Sequence, residues 1–209
     1  MKNFENIISL GAFCFIAGNL RSLNLRSLNL RTQAFPFDWN ITDMKTVITL
    51  LNNNFEDFCN AQYLVKKYDN KNIFFDNKKY SLLRFVHDFD ENLCNINEVE
   101  EKYTRRIERF YEAIKKKTLF IRYIIDEHEY KYILHHYNEI NEILKRYNRN
   151  NRIIFVINDD IKVNRILNFF KGIKLYSVIK DENDTVAKCP FEKNIYLKQI
   201  LEGKCQKLV

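Results

Sequence analysis

The chain has 209 residues, 46% of them hydrophobic, enough to bury a full core without disulfide or metal staples. Its five cysteines are scattered with no C-x-x-C pair and no histidine at ligand spacing, which argues against a disulfide scaffold or a zinc site. The formal net charge of +7 is spread through mixed-sign segments such as EEKYTRRIER (100–109), which read as solvated helix faces with i,i+4 partners rather than as a basic patch for nucleic acid.

In chain order, IISL (7–10) is an apolar run ended by Gly11 and reads as a strand buried on both faces. A helix should follow from about Phe13, with Cys14 in its first turn. The tandem pentapeptide RSLNLRSLNL (21–30) matches neither a helical nor a strand period, and one copy is expected to extend a helix end or loop. Pro36 breaks the pattern in FPFDWNITD (35–43); Met44, Val47, Ile48, Leu51, Phe55 and Phe58 then recur at helical spacing behind Thr42 or Asp43 as N-cap. NIFFDNKKYSLLRFVHDF (72–89) carries two β-rich runs around DNKK, a hairpin pattern. Asn97 and Glu100 make a capping-box pattern ahead of the apolar stripe Val99, Tyr103, Ile107, Phe110, Tyr111 and Ile114.

From there strands and helices alternate: TLFIRYII (118–125), a helix over 127–147 opened by Asp126 and Glu129, RIIFVIN (152–158), a helix around 163–170, KLYSVI (174–179), and a closing helix over 194–203. The alternation predicts a single α/β domain over 1–209, a three-layer Rossmann/flavodoxin-like arrangement with a mainly parallel sheet and a β-hairpin insertion that covers the rim or extends the sheet. No run reaches the roughly 18 residues of a membrane span. Glu5 interrupts the apolar approach after Lys2, and no small-residue cleavage site follows. A cytoplasmic protein is expected, with no membrane and no nucleic acid among its partners, no cofactor and no metal.

Sites of open α/β sheets lie outside the carboxyl ends of the strands, a rim that would hold Gly11 to Cys14, Arg122 to Asp126 and Asn158 to Asp160. In the first turn of a helix the dipole and unpaired amides favour a thiolate, so Cys14 is expected to have a lowered pKa, and the same amides to hold an oxyanion; between Phe13 and Phe15 it also fits a buried hydrophobe. His87, in FVHDF at the end of a predicted strand, is the histidine suited to serve Cys14 as base, or else one satisfied within its hairpin. Asp38, Asp88, Asp159 and Asp160 are carboxylates at predicted loops. Arg122, a charge in an apolar strand, reads as a buried pair or an anion site.

SLGAFCFIAGNL, PFDW and FVHDF, followed by EKYTRRIERF and LFIRY, together resemble an uncharacterised bacterial family named for papain-like cysteine peptidases, over about the first 160 residues. The resemblance implies Cys14 and His87 as the catalytic pair, with Asp88 beside them and the orienting carboxylate open. It leaves Gly11, Asp38, Trp39, Arg122 and Asp159 to bind an unknown substrate, whether peptide, ester or glycan. The opening strand, glycine and nucleophile-like turn are also similar to doubly wound esterases and acyltransferases, which draw their histidine from near the C-terminus, whereas no histidine follows His136 here. A sugar- or nucleotide-binding domain without thiol catalysis is the alternative reading.

Overall fold

The computed structural model describes residues 4–22, 33–69, 72–158, 160–164, 168, 171–178, 200–201 and 207–208. In chain order they form β1 (Asn6–Ser9), α1 (Cys14–Ser22), β2 (Asn40–Thr42), α2 (Met44–Asn52), β3 (Leu64–Asp69), β4 (Asn72–Asn77), β5 (Leu83–Phe85), α3 (Ile96–Ile114), β6 (Thr118–Tyr123), α4 (Glu127–Tyr147), β7 (Arg152–Asn158), β8 (Leu175–Val178) and β9 (Lys207–Leu208). β1, β6, β7 and β8 lie side by side in parallel, with β9 antiparallel on the β8 edge. β2, β5, β4 and β3 make a second, antiparallel sheet in that order. The 72–89 hairpin is therefore part of a separate sheet rather than an addition to the parallel one.

The parallel strands are apolar runs because both of their faces are covered; every residue of β6 is buried. Successive side chains point to opposite faces. Phe120 joins Val47, Phe110 and Ile133 from α2, α3 and α4, while Leu119, Ile121 and Tyr123 join Ile16 and Leu20 of α1 together with Ile200 and Leu201. Each such side chain contributes roughly 1.5–3 kcal/mol of burial energy. A Rossmann- or flavodoxin-like sheet reverses its strand order at a switch point. Here the four parallel strands follow chain order, so the class is mixed α/β and no switch point falls between them.

Local chemistry explains the helix boundaries. Asp126 accepts from the Glu129 amide at 2.8 Å and opens α4, and Asp43, not Thr42, caps α2 through the Thr46 amide at 2.7 Å. Phe55 and Phe58 keep the helical spacing yet lie beyond α2, because Asn54, Phe55 and Asp57 take left-handed φ values of 57°, 59° and 53°. Both rings still pack edge-on, against Phe110 and Tyr103 respectively. α3 starts ahead of the expected capping box: Asn95 is its N-cap but makes no side-chain cap bond, since its Oδ1 accepts from the Asp90 amide at 3.1 Å while its Nδ2 donates to the Asp88 carbonyl at 2.9 Å. Residues 23–30 of the pentapeptide repeat, most of the helix expected over 163–170 and most of that over 194–203 lie outside the described residues.

Asn151 fastens three elements from the loop before β7. Its Oδ1 accepts from the Thr118 amide at 2.9 Å, and its Nδ2 donates to the carbonyls of Ile114 at 2.9 Å and Leu144 at 3.0 Å. The side chain is buried, so no water can replace it at the ends of α3 and α4. Asn151→Ala is expected to lower stability by about 1–3 kcal/mol, read as a lower urea midpoint at unchanged m-value.

Candidate active site

Beyond β1 the backbone runs two residues further along β6, with the Leu10 amide donating to Ile121 at 2.9 Å and the Tyr123 amide to Gly11 at 3.4 Å. It then turns at Gly11, whose φ of +86° lies in the region L side chains avoid. A Cβ there would stand 2.6 Å from Thr42 Oγ1 and 2.7 Å from an Arg122 Nη1. The turn delivers Cys14 as the first residue of α1, half-buried, between Phe13 and Phe15, whose rings both pack on Tyr123. Burial pushes the Cys14 thiol above its ordinary pKa, and a backbone hydrogen bond at Cys14 only partly opposes it. The lowering expected from the helix start is outweighed by desolvation.

The turn is held from beneath by a buried ion pair. Arg122 Nε donates to Glu129 Oε1 at 3.0 Å, Nη1 to the Leu10 carbonyl at 2.5 Å and Thr42 Oγ1 at 3.1 Å, and Nη2 to the Thr42 carbonyl and to Glu129 Oε1. A guanidinium has five N–H donors, and these contacts engage all of them inside the protein. Glu129 also accepts from the amides of Met44 at 2.8 Å and Ile125 at 2.7 Å. Burial pushes its carboxyl up, opposed by Arg122 and these amides. With the Thr42 amide donating to the Ala12 carbonyl at 3.0 Å, the pair clamps β2, and through it the antiparallel sheet, onto the carboxyl end of β1 and β6. Nothing in the sequence singled out Glu129 for this: at the third position of a helix it reads as part of the cap, although an arginine in an apolar strand demands a buried acid.

His87 follows β5 and is exposed. Continuing the Asn40↔Phe85 register brings it level with Asp38. Ala12 is bonded at the Thr42 end of β2, and Arg21 at the far end of α1 stacks 4.8 Å over Trp39. Cys14 thus lies toward the Thr42 end of β2 and His87 beyond its Asn40 end. Among the described residues no hydrogen bond joins the thiol to the imidazole, whose ring nitrogens bond no other residue. Asp88 turns the other way: its carboxylate accepts from Lys102 Nζ at 2.6 Å and the Tyr103 hydroxyl at 2.8 Å. Asp38 is buried and accepts from the Phe35 amide at 2.8 Å, shaping the PFDW turn. Asp159 lies outside the described residues. Cys59 is a buried thiol pushed well up by burial first and by the Asp88 charge second, the environment of an inert cysteine.

Among the described residues no cluster of His, Cys, Asp and Glu could hold a metal ion, and no helix is long and apolar enough to cross a membrane. A family described as "Putative papain-like cysteine peptidase (DUF1796)" matches residues 5–160. The chain belongs to this family, and the match contains Gly11, Cys14, the PFDW turn, His87 and the Arg122–Glu129 pair. Neither a curated protein nor a solved structure matches the chain.

Proposed function

We propose that this protein is a cysteine-nucleophile hydrolase or acyltransferase with Cys14 as the attacking residue. The observation that carries the reading is the position of Cys14: a half-exposed thiol at the first residue of α1, directly after a turn built around Gly11 at the carboxyl end of a parallel strand. The sulfur adds to a substrate carbonyl, the first-turn amides of α1 take the oxyanion, and the thiol proton is relayed through water to the unengaged ring of His87. The imidazolium then returns that proton to the leaving amine or alcohol, and water cleaves the thioester. Arg122 supports the turn in this scheme without touching substrate, and Asp88 holds the backbone beside His87 against α3.

A resting thiol pushed up by burial implies activity that climbs from neutral toward alkaline pH as the thiolate fraction grows. With amide and ester panels, Cys14→Ala should abolish turnover, His87→Ala should lower it by about 10²–10⁴-fold, and Cys94→Ala should leave it unchanged. Alkylation mapped by mass spectrometry should find exposed Cys94 labelled before Cys14 at pH 7, with Cys14 catching up as the pH rises. The raised thiol pKa and the missing Cys14–His87 bond favour a second reading, a binding domain without thiol catalysis. That reading is supported if every substrate is refused; turnover that survives Cys14→Ala would instead overturn Cys14 as the nucleophile.

A further inference from the structure

At the opposite rim, where β7 and β8 begin, the structure contains a cavity of about 420 Å³, inside the roughly 300–1,000 Å³ range of small-molecule sites. Lys145, Arg152, Lys171 and Lys174 line it, against the single carboxylate of Glu142. Several cations elsewhere are matched, Lys66 with Glu91, Lys79 with Glu56 and Asp57, Arg84 with Asp76, and Lys102 with Asp88. Around this cavity Lys145, Lys171 and Lys174 make no ion pair or hydrogen bond among the described residues. Arg152 spends only Nη1, on the carbonyls of Arg149 and Asn151 at 3.0 and 2.7 Å, which leaves Nε and Nη2 for a ligand.

The lining is positioned, not merely present. Gly172 turns the chain with φ +67°, and its carbonyl accepts from the Tyr137 hydroxyl of α4 at 3.0 Å. That bond pins the short turn between Lys171 and Lys174 to the α4 wall that carries Lys145. Like charges gathered around one cavity repel one another and destabilise the compact state unless an anion neutralises them. Lys145 complements the C-terminal dipole of α4, and Lys171 stands in the helical turn that Gly172 ends, but Arg152 and Lys174 have no such use.

We propose that this cavity binds a small molecule carrying two or more adjacent phosphate groups. One isolated carboxylate would leave most of the positive charge unmatched, whereas a diphosphate or triphosphate supplies several negative charges within the span of the cavity and suits the planar fork of Arg152. The cations converge on one cavity instead of extending along a stripe, which favours a small polyanion over a nucleic-acid backbone. The site is separate from Cys14, so its test does not depend on thiol chemistry.

Calorimetric titration of the full chain with inorganic pyrophosphate and tripolyphosphate at about 0.15 M salt should give saturable one-to-one binding, with tripolyphosphate the tighter. ADP, titrated alongside, distinguishes a nucleotide from a bare polyphosphate. K171A/K174A should weaken binding by about tenfold or more while the ligand-free melting temperature stays the same or rises; K66A and C14A should bind as the parent does. Heats that never saturate, or equal affinity in K171A/K174A, would overturn the proposal. So would a single-stranded oligonucleotide that binds more tightly than tripolyphosphate and loses affinity in the same variant, since that would make this rim a nucleic-acid surface.

Discussion

Glu129→Ala should cost about 3–5 kcal/mol of folding stability, more than any surface substitution in the chain. The side chain is 5% exposed and Arg122 is fully buried. Removing the carboxylate strands two guanidinium donors and the amides of Met44 and Ile125 in a site closed to water. For a chain of this size, each kcal/mol moves the melting temperature by roughly 2–4 °C, so the expected drop is large enough to read by circular dichroism. Replacing both partners with apolar residues, Arg122→Met with Glu129→Leu, should cost less than Glu129→Ala alone, because no unpaired charge is left behind. The double variant should still lose the clamp on Thr42 and the Leu10 carbonyl, and with it the setting of Cys14. Should Glu129→Ala melt within about 1 kcal/mol of the parent, the pair would be a solvated one and the clamp would not exist.

The clamp gives the antiparallel sheet its purpose. In a parallel sheet the carboxyl-end rim is normally left to the loops that follow the strands. Here much of that rim, over β1 and β6, is occupied by Thr42 and the turn around Gly11 and Ala12. Thr42 in turn begins the β2–β5 ladder whose far end leads to His87. The nucleophile candidate and the imidazole therefore come from different sheets, joined through one buried threonine and one buried ion pair.

Most of the parallel half was legible because its signals are local. Continuous apolar runs announced β1, β6, β7 and β8, and the Asp126 cap with the 3.6-residue stripe fixed α4 over Glu127–Tyr147. What escaped depends on contacts distant in sequence. β3, LVKKYD, is an edge strand with no fully buried residue, so it lacks the alternation that reveals a strand. Phe55 and Phe58 keep the α2 period although the backbone has left the helix, since periodicity records burial and not φ. Asp88 sits beside His87 in sequence, but its carboxylate is drawn to Lys102 and Tyr103 on α3, a preference only the packed structure reveals. Cys14 stands in the first turn, as the spacing predicts, while its pKa is set by burial, which no spacing rule reports.

Two Gly→Ala substitutions seven positions apart should move stability in opposite directions. At Gly18, inside α1, an added Cβ meets nothing within 4 Å, and alanine should stabilise the helix by about 0.5–1 kcal/mol. At Gly11 the same methyl group would enter the space between Thr42 Oγ1 and Arg122 Nη1, at 2.6 and 2.7 Å, on a residue with φ +86°. Neither neighbour can swing aside cheaply, because the Arg122 nitrogen is bonded to both the Leu10 carbonyl and Thr42 Oγ1 in a fully buried site. Backbone strain and overpacking each cost on the order of 1–3 kcal/mol, so Gly11→Ala should lose about 3 kcal/mol or more. Urea denaturation of the two variants against the parent reads both signs in one experiment. The loss at Gly11 should be much smaller in the Arg122→Met, Glu129→Leu background, where the guanidinium that blocks the methyl group is gone. If Gly11→Ala costs the same in both backgrounds, the glycine answers to φ alone and the close approach of Arg122 sets no limit on the turn that presents Cys14.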